Sequence, residues 1–449
     1  VGSEMCIRDR NKIRRFLMDD NKRIYNVSDD VPKKMLIPLG LQHTFAMFGA
    51  SVLVPILFGI NPGIVLLMNG IGTLLFILIT KGKAPAYLGS SFAFLAPGIA
   101  IIQSQGFEYA QGAFVAVGIL GCLLSYIIYK FGTSWIDVVL PPAAMGAVVA
   151  LIGFELAANT VSGGTIGANL MTDTVTSTDW LVFLVTLLTA ILGSIMFKGF
   201  MSTIPILIAI IVGYIVAYFN GQVDLTPVRE ASFFTLPQFQ LAKFSPEAIF
   251  AMLPVLLVIA AEHISHQVVT SNIIGEDLLK DPGLHRSIFA DNFSTALSGL
   301  IGGVPTTTYG ENIGVMAITG VYSVKVIGTA AVISILMAFI GPLSALISTI
   351  PGNVIGGVTF LLYGMIGTSG IRLLVDQKVD YSKSDNLILT SVIFIAGLSG
   401  LAIQFGSIEL SGMVLSSVVA VILSLLIHLI KKAGWSNCLL YTSPSPRDS

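Results

Sequence analysis

The chain has 449 residues, of which 54% are hydrophobic and only 11% charged, with a mean hydropathy of +0.86 and a formal net charge of −1. Soluble domains carry about 25% charged residues, so this composition excludes an ordinary soluble fold and points to a chain embedded in a lipid bilayer. The near-zero charge gives no footprint for nucleic acid, and Cys6, Cys122 and Cys438 have no metal-binding or redox spacing.

From the N-terminus, residues 1–10 differ in composition from the interior, as do residues 438–449 at the other end. Both resemble translated sequencing-adapter sequence and are expected to be non-native flanks. Between them lie apolar runs of about 20 residues, the length that spans a bilayer. They fall near 35–58, 63–80, 86–103, 109–130, 135–157, 179–197, 201–219, 246–270, 286–302, 305–319, 324–348, 352–373, 386–405 and 408–430. The expected fold is therefore an all-α polytopic membrane protein of fourteen segments, the third and tenth being short and broken. Positive charge agrees with this count when both ends are cytoplasmic. Inside loops then hold residues such as Lys81, Lys280 and Lys378, and outside loops hold only Arg229 and Lys243, the asymmetry of the positive-inside rule.

The chain also repeats. Gln42-His43 corresponds to Glu262-His263 and Pro85 to Pro305, each 220 residues on, and Leu140-Pro-Pro-Ala-Ala resembles Ile350-Pro-Gly-Asn-Val at an offset of 210. Seven segments per repeat is an odd number, so the second half must enter the membrane inverted. Inverted repeats with broken helices near the midplane mark secondary transporters.

Two glutamates stand where a bilayer makes charge costly. Glu262 follows the apolar run 248–261, and Glu311 lies in the broken tenth segment. A carboxylate at bilayer depth costs at least about 2.5–3.5 kcal/mol, so it reads by default as a group facing a cavity. Segments three and ten each follow a proline with small or β-prone residues, Ala86-Tyr-Leu-Gly-Ser-Ser-Phe and Thr306-Thr-Thr-Tyr-Gly-Glu-Asn. Each reads as a short extended piece feeding a half-helix, whose tip offers free N–H groups and a partial positive charge. Ser90, Ser91, Phe92, Gly310 and Glu311 are expected at these tips; a bent packing helix is the alternative. Glu262 and His266 share a helical face at i, i+4, and His263 points elsewhere. A carboxyl in an apolar site is tolerated when protonated and costly when charged, so the pair suits proton coupling or a purely structural hydrogen bond.

Gln42 and His43 are read as supporting or packing residues, and Asn312 as satisfying backbone groups freed by the break. Tyr363 faces either the cavity or the core. Asp291, near a cytoplasmic end where it could reach water, and Glu155, near an outside end, read as structural. No nucleophile or metal constellation is visible, so no enzyme, metal or cofactor is expected. The residues alone indicate a transporter of a small, polar, planar or zwitterionic solute.

Glu311-Asn-Ile-Gly-Val-Met-Ala-Ile-Thr319 and Gln42-His43 resemble the signature motifs of the nucleobase–ascorbate transporter family. Tyr87-Leu-Gly-Ser-Ser-Phe-Ala-Phe94 and Ala261-Glu-His-Ile-Ser-His266 extend the likeness over about residues 33–432. The resemblance implies two inverted seven-segment repeats with short antiparallel strands in segments three and ten. It also implies a core domain (33–130 and 246–348) and a gate domain (131–220 and 349–432). The implied activity is proton-coupled import of uracil across the cytoplasmic membrane, with a homodimer as the expected assembly. Glu262 and Glu311 would bind ring N–H groups, and the backbone amides of Phe92 and Gly310 would meet the ring carbonyls. His266 would support Glu262, Tyr363 would face the site from the gate, and Ser91, Tyr309, Asn312, Gln42 and His43 would be supporting residues. Purine-transporting relatives usually carry Gln where this chain has Glu311, so a xanthine or urate symporter is the second reading. A sodium-coupled variant is a third.

Overall fold

A computed structural model describes residues 24–157, 170, 174–405 and 408–435. The two expected non-native flanks, 1–10 and 438–449, lie outside the described residues. Each predicted apolar run overlaps a helix, a strand–helix pair or two successive helices, the fifth also holding the short helix Ile136–Val139 and the eleventh Gly341–Ser348. In chain order these are α1 (Lys33–Phe58), α2 (Pro62–Ile79), β1 (Leu88–Ser90), α3 (Leu95–Gln105), α4 (Phe107–Phe131), α5 (Pro142–Ala157), α6 (Ser177–Met196) and α7 (Pro205–Phe219). The second half has α8 (Val255–Ile274), α9 (Leu284–Ile301), β2 (Thr306–Thr308), α10 (Gly310–Thr319), α11 (Val324–Ala338), α12 (Gly352–Asp376), α13 (Ser384–Leu398), β3 (Ala402–Phe405), β4 (Ile408–Ser411) and α14 (Gly412–Lys432). Among the described residues, seven helices are long and apolar enough to cross a membrane, and five apolar helices are shorter, at 10–17 residues.

Local chemistry sets the boundaries. Asn61 caps α2 by accepting the Gly63 N–H (2.7 Å), with Pro62 at the first helical position. Thr176 and Asp179 form a reciprocal capping box on α6. Glycines in the left-handed region, Gly275 (φ 77°) and Gly320 (φ 68°), end α8 and α10. Pro254 lacks an N–H, and the eighth run divides there into Pro246–Met252 and α8. One element was not anticipated. The predicted thirteenth and fourteenth runs extend over the antiparallel hairpin β3–β4, in which Ala402 faces Ser411. Its strands mix polar with apolar residues, Gln404 and Glu409 among them, but each adjoins an apolar helix, and a hydropathy window averages across that boundary.

The packing obeys the repeat. If segment n corresponds to segment n+7, then α4 on α9 maps onto α11 on α2, α6 on α12 maps onto α13 on α5, and α6 on α7 maps onto α13 on α14; all six contacts occur. The α5–α12 contact maps onto itself. So does the β1–β2 pair, where Leu88 faces Thr308, the residue 220 positions on, as a two-fold relation through the sheet requires.

Close helix approach rests on small residues, because lipid supplies little hydrophobic drive between helices. A Cβ on Gly118 of α4 would lie 2.6 Å from the Ala296 nitrogen of α9. A Cβ on Gly370 of α12 would strike the Ala150 backbone of α5. Gly370→Leu is therefore expected to force α5 and α12 apart. Overpacking costs about 1–3 kcal/mol and often more against backbone, and the loss should appear as a lowered melting temperature of the detergent-solubilised protein, with Gly364→Ala, which meets nothing within 4 Å, as the neutral control.

Candidate functional site

The site forms where the two broken segments meet. β1 and β2 pair antiparallel, Leu88 with Thr308, Gly89 with Thr307 and Ser90 with Thr306. The Ser91 N–H extends the ladder by donating to the Pro305 carbonyl (2.8 Å). Three residues each is a short ladder, but both strands are wholly buried, and buried backbone groups must be paired. Side chains reinforce it from both flanks. Thr73 of α2 accepts the Leu88 N–H (2.9 Å), and Thr295 of α9 accepts the Thr306 N–H (3.1 Å).

Beyond the strands the chain turns into helix without a side-chain cap. Tyr309 precedes α10, and Ser91 precedes the Phe92–Phe94 turn that leads into α3. Backbone donors are thus left at two tips, one of each sign of direction through the strand pair. Glu311 lies in the first turn of α10 and is half-buried, while Gly310 is exposed. Tyr309 folds back so that its hydroxyl donates to the Ser90 carbonyl, tying the two tips together. Its ring covers Gly89, where a Cβ would sit 2.8 Å from Tyr309 Cε2. This close approach explains glycine at that strand position.

α8 runs beside this junction, against β2, α10 and the Phe92–Phe94 turn. His266 Nδ1 is hydrogen-bonded to Thr308 Oγ1 (3.1 Å), and its Nε2 would lie 3.6 Å from a Cβ on Gly310. The hydrogen bond considered between His266 and Glu262 is not formed, because the imidazole bonds the strand. Glu262 is half-buried, and its Oε2 has no hydrogen-bond partner among the described residues. His263 points away, as expected, toward Asp291 (Nδ1 to Oδ2 3.5 Å). Asp291 was expected to reach water; it is instead 1% exposed, enclosed where α9 packs against α2 and α4.

The remaining candidates divide. His43 Nδ1 and Asn312 Oδ1 meet at 2.5 Å, joining α1 to α10. Asn312 therefore serves the α1 contact and not the freed backbone groups. Gln42 turns away, donating to Thr203 Oγ1 at 3.4 Å. Tyr363 of α12 is fully buried with its ring edge-on to Phe92 (6.2 Å between centroids). The hydroxyls of Ser90, Ser91, Thr307 and Tyr363 are buried with no hydrogen-bond partner among the described residues. Glu155 is structural, accepting the Met413 N–H at the start of α14 (2.8 Å). Sequence reasoning missed Thr308 and Thr73, whose roles depend on which strand each approaches.

A family model described as a permease family matches residues 34–406. The chain belongs to the nucleobase–ascorbate transporter family. It is a multi-pass membrane protein of that permease family. It is 53% identical to the uracil permease of Escherichia coli (strain K12) over 410 residues, covering 91% of this chain and 95% of the relative. It is 51% identical to the uracil permease of Paenibacillus larvae over 422 residues, covering 92% and 99%. The murine Slc26a9 anion transporter, solved in the inward-facing state, has a similar fold at 9% identity, with a TM-score of 0.65 over 90% of this chain and 70% of that one.

The His43–Asn312 bond is buried on both sides, at about 1% exposure each. Truncating one partner leaves the other unpaired and costs about 1–3 kcal/mol. His43→Ala is expected to lower the melting temperature, and adding Asn312→Leu to recover part of the loss in a double-mutant thermal series.

Proposed function

We propose that the protein imports uracil across the cytoplasmic membrane as a proton-coupled symporter working by alternating access. The observation that carries this reading is the pair of half-buried carboxylates, Glu262 and Glu311, converging on two uncapped helix tips. The 51–53% identity to uracil permeases supports the choice of solute. Uracil is planar, with two ring N–H donors and two carbonyl acceptors. In the proposed complex the carboxyls of Glu262 and Glu311 accept from the N–H edge. The backbone amides at Phe92 and Gly310 donate to the carbonyls, and the rings of Phe92, Tyr309 and Tyr363 bound the plane.

In this reading fourteen segments cross the membrane, with both termini cytoplasmic. Residues 33–130 and 246–348 form a core, and residues 131–220 and 349–432 a gate. A cavity of about 210 Å³ between α8 and the gate supports access from one side. Ser265 and Val268 of α8 line it together with Met145, Asp137 and Gln377. It lies one turn beyond Glu262, at the end that the lysine pattern assigns to the cytoplasm. At the opposite end β4 packs on the helical turn Pro246–Met252, and Ser417 donates to the Pro254 carbonyl (3.3 Å). Closure outside with an opening inside is the state from which solute would be released.

The coupling proposed here runs through Glu262. Protonation makes burial of the carboxyl tolerable and lets it both donate and accept, so proton and solute bind together. Proton loss to the inner cavity would leave a charge that favours opening and weakens the bond to the solute. His266, anchored to Thr308, positions the solute-facing edge of the β2–α10 junction.

A charge-assisted hydrogen bond contributes roughly 1.5–3 kcal/mol. Glu311→Gln is therefore expected to weaken uracil binding about ten- to hundredfold in the purified protein, and unchanged affinity would remove Glu311 from the site. In proteoliposomes, an inward acid-outside gradient is expected to drive accumulation of labelled uracil by the parent protein. Glu262→Gln should retain uracil exchange while losing accumulation. Continued accumulation by that variant would move the coupling carboxyl elsewhere, and accumulation indifferent to the pH gradient would overturn proton coupling altogether.

A further inference from the structure

The segment between α7 and α8 crosses one end of the bundle over residues 231–245 without a helix or strand, apart from a single bridge between Phe234 and Ile340. Its backbone is tied to the helix ends below it. Thr235 N–H donates to the Phe339 carbonyl (3.0 Å), the Gly341 N–H to the Phe233 carbonyl (3.0 Å), the Gln240 N–H to the Ile301 carbonyl (3.1 Å) and the Lys243 N–H to the Glu108 carbonyl (2.9 Å). Gly112 and Gly341 are small because the carbonyls of Lys243 and Ser232 lie against them. The strap is thus seated on the ends of α4, α9 and α11.

Its outward side is apolar. Phe233 is 77% exposed, Phe239 59% and Leu241 75%. In extended chain, Phe239 and Leu241 share one face and Gln238 and Gln240 the other, and the Gln240 amide reaches back to Glu108 (3.3 Å). From Ala231 to Ala242 the sequence has no charged residue, and the amine of Lys243 is taken up by Glu108 (3.1 Å). The helices that flank the strap in sequence also carry exposed aromatic side chains close to it in the chain, Phe219 at the end of α7 and Phe250 in the turn Pro246–Met252.

We propose that this strap is an interfacial anchor lying in the headgroup region of the bilayer, with Phe233, Phe239 and Leu241 in the acyl boundary. Pinned backbone, an uncharged stretch and aromatic side chains at the end of a bundle are what a membrane–water interface selects. A wholly aqueous loop would leave these side chains in water with nothing to gain. Because the strap is bonded to helices from both halves of the chain, its depth sets theirs. The inference rests on the membrane reading and is independent of the transported solute.

The test uses the full chain in vesicles, with Cys6, Cys122 and Cys438 changed to Ser and single cysteines at Phe233, Phe239, Leu241 and, for comparison, the exposed Asp224. Spin labels at these sites are read by collision with molecular oxygen, which concentrates in lipid, and with a water-soluble nickel chelate. At positions 233, 239 and 241 oxygen collisions are expected to exceed nickel collisions, with the reverse at 224. Nickel-dominated collision at the three strap sites would place the strap in water and overturn the proposal. Low collision with both would mean that protein, a second copy or another partner, covers it, which overturns it equally.

Discussion

The backbone of a chain inside a bilayer has no water to satisfy it, and two segments of this protein break their helices there. The break is possible only because each supplies the other's missing hydrogen bonds. β1 and β2 pair three residues against three, with Thr73 and Thr295 closing the flanks. Lipid tolerates non-helical backbone only where protein buries it, so α2 and α9 must lie against this pair, and they do. The short strands therefore dictate the arrangement of the surrounding helices as much as they are enclosed by it.

The same device creates polarity where the bilayer would exclude it. A strand running into an uncapped helix exposes N–H groups at its tip, and the antiparallel pairing brings two such tips to one place. Around them gather polar atoms with no hydrogen-bond partner among the described residues: the hydroxyls of Ser90, Ser91, Thr307 and Tyr363 and one oxygen of Glu262. Each unpaired buried group costs about 1–3 kcal/mol, a sum a membrane protein sustains where a solute or water can complete the set. By contrast, His43 Nδ1 is bonded to Asn312 Oδ1, and His266 Nδ1 to Thr308 Oγ1. They hold the α10 tip from α1 on one side and α8 on the other.

Stability elsewhere comes from close contact of small residues. Gly118 of α4 facing α9, and Gly370 of α12 facing α5, let backbones approach to distances no side chain permits. Such interfaces gain dispersion without needing a hydrophobic drive. The strap over residues 231–245 works differently, using backbone hydrogen bonds inward and leaving its large side chains outward.

Fold class and most element positions were legible in the sequence because bilayer thickness imposes a length on apolar runs. The offset of 220 residues revealed the repeat, and the register of Leu88 on Thr308 realises it. The motif residues Glu262, His266, Gly310 and Glu311 were legible because charge and broken helices are costly in lipid and so stand out. What the sequence could not specify was direction and partner. The β3–β4 hairpin was hidden because two four-residue strands adjoin long apolar helices and are averaged into their hydropathy. From sequence Asp291 is expected to reach water, yet helix packing encloses it beside His263. Gln42 and His43 are adjacent in sequence but reach Thr203 and Asn312. Hydropathy and periodicity report how far a residue lies from water along one helix, whereas the partner of a buried polar group depends on which face of which other helix arrives beside it, and only the tertiary structure decides that.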